Sequence, residues 1–167
     1  EAPQKAEINT LVVDVGTNAE IVVGNSKRML AASSPTGPAF EGAQISSGQR
    51  AAPGAIERIR IDKDTLEPCF RVIGVEQWSN EDGFDEAVKS TGITGICGSG
   101  IIEVLAEMYL SGILSTDGVI DGTVAARTPR IEEDGRTFAY RVAENVVVTQ
   151  NDVCLLYTSD AADDAGS

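Results

Sequence analysis

The sequence predicts an α/β fold built from an antiparallel meander and one long helix, and three features carry that reading. A β-branched run from Leu11 to Val15 is followed at turn-length intervals by Glu20 to Val23 and by Met29 to Ser33. Apolar residues at Ile101, Ile102, Leu105, Met108, Tyr109 and Ile113 recur with helical spacing behind a glycine-rich opening. Asp134-Gly135 sits between two β-compatible segments, a strong hairpin signal.

The elements follow in order. Leu11 to Val15 reads as a buried strand, Gly16-Thr17-Asn18-Ala19 as a turn, and Glu20 to Val23 as the returning strand. Gly24-Asn25-Ser26-Lys27-Arg28 turns the chain again into Met29 to Ser33. Pro35-Thr36-Gly37-Pro38 breaks the pattern. Pro38 suits a first helical position, opening a short helix with Phe40, Glu41, Ala43 and Gln44. Ile56 to Asp62 is expected as a strand, with Phe70 to Val75 as its hairpin partner. Gly95-Ile96-Cys97-Gly98-Ser99-Gly100 opens the long helix, and Asp117-Gly118 marks a turn after it. Arg130 to Glu133, Thr137 to Val142 and Val146 to Val148 are strands. Thr149-Gln150-Asn151-Asp152 reads as a capping box, although no amphipathic helix is evident beyond it.

Composition excludes several functions. The chain has 167 residues, 42% of them hydrophobic, which is enough for one domain with a core. No apolar run approaches the ~20 residues of a membrane span. There is no initiator Met and no signal-peptide pattern, and a fragment is the expectation. Thirteen cations against 26 anions give a formal charge of −13, which argues against nucleic acid or an anionic membrane as partner. Any polyphosphate site must therefore use backbone N–H groups, helix N-termini and a divalent cation. The absence of His removes His-based triads and His-ligated metals. Cys69, Cys97 and Cys154 form no C-x-x-C and cannot hold an iron–sulfur cluster alone, so a reducing, cytoplasmic setting is expected.

Residues 154–167 stand apart. Cys154 to Asp163 resembles one reading frame of a transposase adapter used in preparing sequencing libraries, and the polar Asp164-Ala165-Gly166-Ser167 continues it. The expected division is a partial domain over 1–153 and a non-native tail over 154–167 without core contacts. Removing Asp160, Asp163 and Asp164 takes the formal charge from −13 to −10.

Three constellations can carry chemistry. Asp14-Val15-Gly16-Thr17-Asn18 ends a strand with a carboxylate for Mg²⁺, a glycine that admits a phosphate, and a hydroxyl donor. A plain solvated β-turn is the alternative. Gly95-x-x-Gly98-Ser99-Gly100 offers bare N–H groups at a helix N-terminus, where the macrodipole favours anions. It matches neither the dinucleotide nor the P-loop fingerprint, and close helix packing explains the glycines equally well. Cys97 there lacks a His base and reads as a packed residue rather than a nucleophile. In Gly37-Pro38-Ala39-Phe40-Glu41-Gly42, Glu41 is a candidate to orient water or metal, or else a solvent-facing carboxylate.

Taken together and in order, these motifs resemble the ATPase domain of the reductive activators of corrinoid proteins, in the actin/hexokinase/sugar-kinase superfamily. Leu11 to Asn18 with Glu20-Ile21-Val22 is similar to that family's second phosphate motif. Gly37 to Ala43, Arg50 to Ile56, Gly95 to Gly100 and Thr149-Gln150-x-Asp152 follow at familiar spacing, so the resemblance covers roughly residues 8 to 153. It implies a ribonuclease-H-like lobe of a duplicated α/β domain, incomplete here. It implies ATP and Mg²⁺ as ligands, with Asp14 at the metal, Asp14 and Glu41 as catalytic carboxylates, and Gly16, Thr17, Asn18, Gly37, Gly95, Gly98, Ser99 and Gly100 at the nucleotide. It also implies an iron–sulfur domain elsewhere in the full-length protein, a corrinoid protein of a methyltransferase system as partner, and reduction of cob(II) to cob(I). The piece alone is expected to be inactive, because a first phosphate motif, an adenosine motif and the cysteine-rich domain are not in it. A small-molecule kinase of the same superfamily and a non-catalytic nucleotide-dependent clamp are the competing readings. Two departures stand out. Ala19 occupies a position where the family has Gly, costing on the order of 1 kcal/mol if φ must be positive, and Pro35-Thr36 replaces smaller residues. The Gly16 to Asn18 turn and the Gly98 helix start are expected on one face.

Overall fold

The computed structural model describes residues 3–16 and 18–158. The chain divides after Pro38 into two compact units, each described in its own frame.

The first unit is the expected meander, with strand order β1-β2-β3. β1 (Thr10–Val15) pairs antiparallel with β2 (Asn18–Gly24), placing Leu11 opposite Val23, Val13 opposite Ile21 and Asp14 opposite Glu20. β3 (Met29–Pro35) pairs with β2 so that Val23 faces Leu30 and Ile21 faces Ala32. Asn25 holds the β2–β3 turn, its Oδ1 accepting the Lys27 and Arg28 N–H groups at 2.9 and 3.2 Å. β2 starts two residues earlier than the sequence suggests, because Ala19 pairs with Val15. Ala19 is not among the residues with positive φ, so no left-handed penalty arises there. The expectation of a buried β1 is overturned: Leu11 is 62% exposed, Val13 48% and Val15 49%. Their β-branched character specifies the strand, but among the described residues of this unit no layer covers that face.

The second unit holds the core. A short 3-10 helix, Pro38–Glu41, leads into it. The helix stops before the expected Ala43 and Gln44, because Gly42 and Gln44 take left-handed backbone with φ of 83° and 68°. β4 (Ala55–Ile61) pairs antiparallel with β5 (Pro68–Val72) and parallel with the two-residue β6 (Gly95–Ile96). A one-turn helix α1 (Phe84–Val88) lies between β5 and β6; nothing in the apolar spacing announced it.

The long helix α2 (Gly98–Leu110) packs on β4. Its buried face is Ile101, Val104 and Met108, with Leu105 partly buried. Ile102 and Tyr109, expected in that stripe, are exposed, so the stripe is rotated and narrower than the sequence suggests. Gly112, with φ of 77°, turns the chain after the helix, and Ile113 is buried beyond its end.

Two carboxylates of α2 reach the open side of β4. Glu103 Oε2 accepts the Ile59 N–H at 2.7 Å, and Glu107 Oε2 accepts that of Ile61 at 3.0 Å. Glu103 also receives Arg58 Nε at 3.1 Å and a close contact from Arg60 Nη1. Burial works to raise the Glu103 carboxyl, but hydrogen bonds from Arg60, the Ile59 N–H and Arg58 together hold it below the usual carboxylate range.

β7 (Ile131–Asp134), β8 (Thr137–Ala143) and β9 (Val146–Thr149) form a second meander, turned at Gly135 with φ of 63°. Tyr140 on β8 is fully buried, and its hydroxyl donates to the Leu66 carbonyl at 2.9 Å. Leu66 is itself buried with φ of 62°, so that bond pins a strained turn between β4 and β5. Burial pushes the Tyr140 phenol well above its ordinary value.

The capping box leads into α3 (Gln150–Thr158), a helix the sequence did not disclose beyond its cap. Val153 is buried, and Leu155 and Leu156 pack partly buried against the core. The expectation that residues from 154 onward make no core contacts therefore fails for those two leucines: a capped helix carries whatever apolar residues follow onto the surface beneath it. Residues 159–167 lie outside the described residues. No helix among the described residues is long and apolar enough to cross a membrane.

Candidate nucleotide site

In the first unit the site is the β1–β2 turn. Asp14, next to last in β1, lies on the face opposite Leu11, Val13 and Val15, directly across from Glu20, and Ser33 of β3 lies 3.4 Å from a Glu20 oxygen. Two like charges facing each other across a sheet are destabilising, and a cation beside them relieves that. Glu20 was missed as a site residue; its signal was its place six residues after Asp14 in a hairpin that turns between Val15 and Ala19. Among the described residues no group of three or more acidic or thiol side chains forms a metal cage, so the donor set fits a hydrated Mg²⁺ better than a protein-ligated ion.

Gly16 needs no glycine for the fold. Its φ is not left-handed, and among the described residues an added Cβ would meet only the Asn18 carbonyl at 3.7 Å, an ordinary contact. Its N–H donates to that same carbonyl at 2.8 Å, so it is not the free phosphate donor that the motif suggested. The Thr36 hydroxyl donates to the Gly16 carbonyl at 2.5 Å, tying the end of the meander to the turn. Thr36 was noted in the sequence only as a substitution for a small residue. Asn18 is exposed. Thr17 lies outside the described residues, as does the side chain of Glu41. Gly37 takes φ of 76° with nothing within 4 Å of an added Cβ, so the turn requires it and leaves it open.

In the second unit the site is the start of α2. Cys97 is the N-cap, buried, with no side-chain cap bond, and the first turn carries no acid. The N–H groups there carry the positive end of the macrodipole, with no capping side chain and no first-turn carboxylate among the described residues. The glycines divide by role. A Cβ at Gly100 would lie 2.5 Å from the Ile56 carbonyl, and one at Gly95 2.7 Å from that of Ser47. Both residues are buried, and backbone packing explains them. Gly98 is half-buried and Ser99 exposed, so ligand approach falls to this pair. The Ser99 hydroxyl donates to the Glu57 carbonyl at 3.1 Å and keeps acceptor capacity. Cys97 Sγ sits 3.4 Å from it.

A strand meander with a glycine turn, and a strand running parallel beside a glycine-opened helix, are parts of an actin-like ATPase fold. Residues 8–167 match the family described as the C-terminal domain of RACo, the ASKHA domain, and the chain belongs to that family. It is 29% identical over 165 residues to the corrinoid activation enzyme RamQ of Eubacterium limosum, an alignment covering 91% of this chain and 25% of that protein. It is 33% identical over 114 residues to the [Co(II) methylated amine-specific corrinoid protein] reductase of Methanosarcina barkeri, covering 63% of this chain and 20% of the relative. A solved reductive activator for corrinoid,iron-sulfur protein superposes with a TM-score of 0.71 at 31% identity, over 95% of this chain and 24% of that one. The chain thus spans about a quarter of the length of the relatives it matches.

Proposed function

We propose that this chain is the phosphate-binding part of an ATP-dependent reductive activator of corrinoid proteins. Membership of the RACo C-terminal family supports the reading. The observation that carries the nucleotide is Gly16, a glycine with no role in turn geometry or packing, set two residues after an opposed carboxylate pair. A phosphate that must approach the backbone there supplies the missing reason.

Asp14, opposite Glu20 across the β1–β2 pair, would hold a hydrated Mg²⁺, which would supply the charge neutralisation that an acidic chain cannot. Within the first unit, Thr17 and Asn18 of the β1–β2 turn would take phosphate oxygens; within the second, the Gly98–Ser99 start of α2 is an anion-binding helix N-terminus in its own right. Glu41 orients the attacking water. Hydrolysis drives movement between lobes rather than phosphorylating a product. Electrons reach a cob(II) corrinoid protein of a methyltransferase system from an iron–sulfur domain elsewhere in the whole protein, which works in the cytoplasm.

The functional test uses the whole reading frame, with and without Mg²⁺, for the wild type and Asp14→Asn. ATP turnover and cob(II)-to-cob(I) absorbance changes should fall at least about a hundredfold in the variant, with the far-UV spectrum unchanged. Turnover indifferent to both the substitution and chelation refutes the assignment. Phosphorylation of a small acceptor points to a kinase instead.

A further inference from the structure

Asp152 is fully buried, and among the described residues no ion pair includes it. Its carboxylate is nonetheless well served. Oδ1 accepts the Ser46 N–H at 2.8 Å and the Ser46 hydroxyl at 3.0 Å. Oδ2 accepts the Thr149 N–H at 2.9 Å, and the Asp152 N–H returns to Thr149 Oγ1 at 3.1 Å, closing the capping box of α3. A cap needs only the bonds to Thr149. The bonds to Ser46, 106 residues away, are additional, and they involve both donors of that residue.

Ser46 belongs to a loop held against two other elements. Ser47 Oγ donates to the Val147 carbonyl and accepts the Val147 N–H, each at 2.9 Å, which fixes the loop to β9. On its other side the Ile96 N–H donates to the Ser47 carbonyl at 2.8 Å, and the Gln49 N–H to the Ile96 carbonyl at 2.9 Å. Gly48 thereby bridges Ile96 in parallel. The fit is tight throughout: a Cβ at Gly42 would lie 2.5 Å from the Gln49 nitrogen, and one at Gly48 2.1 Å from the Gly42 carbonyl. The loop has little room to take another shape, and Ile96 is two residues from Gly98. A continuous run of short bonds therefore leads from the start of α3 through Asp152, Ser46 and Ser47 to β6 and the N-terminus of α2.

We propose that Asp152 is a positioning residue for the nucleotide: through Ser46 it sets the loop that fixes β6, and so the direction of the Gly98 and Ser99 N–H groups. The inference rests on the Mg-ATP reading above. It makes α3 the element through which the first turn of α2 senses the chain beyond the capping box.

Two variants test it, Asp152→Asn and the milder Ser46→Ala at an exposed position that leaves the capping box intact. Native-state amide exchange on the 167-residue chain reports the coupling without nucleotide. Both variants should speed exchange at Ile96 and Gln49, Asp152→Asn by about tenfold or more, with the Phe70 and Tyr140 amides unchanged as controls. In the whole protein, both should raise the KM for Mg-ATP, by about tenfold for Asp152→Asn, while kcat changes less. The double variant should be no worse than Asp152→Asn alone, since both act along one path. Unchanged exchange at Ile96 in Ser46→Ala, or a lowered melting temperature with KM unaltered in both variants, overturns the proposal and leaves Asp152 a helix cap. Accelerated exchange in a wild-type background that never turns over ATP sinks the nucleotide reading and keeps the coupling.

Discussion

Gly16→Ala and Gly100→Ala should separate a glycine kept for a ligand from one kept for packing. At Gly16 the backbone is not left-handed, and the new methyl meets only the Asn18 carbonyl at 3.7 Å. The folded state loses nothing, and the unfolded chain loses some freedom, so stability should stay within about 0.5 kcal/mol or rise slightly. At Gly100 the methyl lands 2.5 Å from the Ile56 carbonyl and 2.8 Å from Ile96 Cγ1. The Ile56 carbonyl is strand backbone and cannot swing aside, so α2 must lift from β4. Overpacking of that kind costs about 1–3 kcal/mol, only partly offset by the ~1 kcal/mol that Ala gains over Gly in a helix. Urea denaturation of the chain measures both, and Mg-ATP titration of the whole protein supplies the other half. Gly16→Ala should lose at least about tenfold in affinity, or 1.4 kcal/mol, with its stability intact. An alanine at 16 that binds Mg-ATP normally removes the main support for a phosphate at this turn. An alanine at 100 that costs nothing shows that the packing argument is wrong.

Three further outcomes follow from the second unit. Tyr140→Phe leaves the buried Leu66 carbonyl without its donor and should cost about 1–2 kcal/mol, lowering the melting temperature by about 2–4 °C per kcal/mol in calorimetry. Because the folded Glu103 carboxyl is held below the ordinary glutamate value of 4.5, its contribution is complete above that value and is lost as pH falls through the depressed pKa. Acid unfolding of Glu103→Gln should therefore show a shallower slope below about pH 4.5, and an unchanged slope would discount the Arg58–Arg60 cluster. Truncation after Val153 removes Leu155 and Leu156 and should cost about 1–3 kcal/mol.

The sequence disclosed elements better than it disclosed faces. The β-branched runs and the Asp134-Gly135 turn placed the strands of both meanders within a few residues, because strand propensity and turn chemistry are local. The α2 stripe was misread by a fraction of a turn, since Ile102 and Tyr109 satisfy helical spacing as well as Val104 does, and only the position of β4 selects among them. The one-turn helix α1 is too short to show a period. At the site, Asp14 and Gly16 were legible from a motif. Glu20 and Thr36 were not, because their roles depend on strand register and a contact twenty residues away. Asp152 was legible as a cap from four adjacent residues, while its second partner, Ser46, is a property of the folded chain alone.

β1 shows what alternation can and cannot decide. Leu11, Val13 and Val15 share one face of the first meander with Ile21, Val23, Leu30 and Ala32, while Asp14, Glu20 and Ser33 line up on the other. Period two therefore divides the sheet into an apolar face and a carboxylate-bearing one. Reading the apolar face as buried assumed a covering layer, and Leu11 and Val13 are exposed because the described residues of the first unit do not supply one. A three-stranded sheet with an uncovered apolar face is only marginally stable by itself. Asp14 sits between Val13 and Val15, so whatever orders those two valines also orders the carboxylate. Covering the Val13 face and binding Mg-ATP at the Asp14 end of the other, mixed face (Val12, Val22 and Ala31 beside Asp14 and Glu20) both draw on the same strand, and each should therefore strengthen the other by linkage. Val13→Ser, which cannot touch a ligand on the Asp14 face, should accordingly weaken Mg-ATP binding in the whole protein. An affinity equal to wild type would show that β1 is rigid without help from its apolar side.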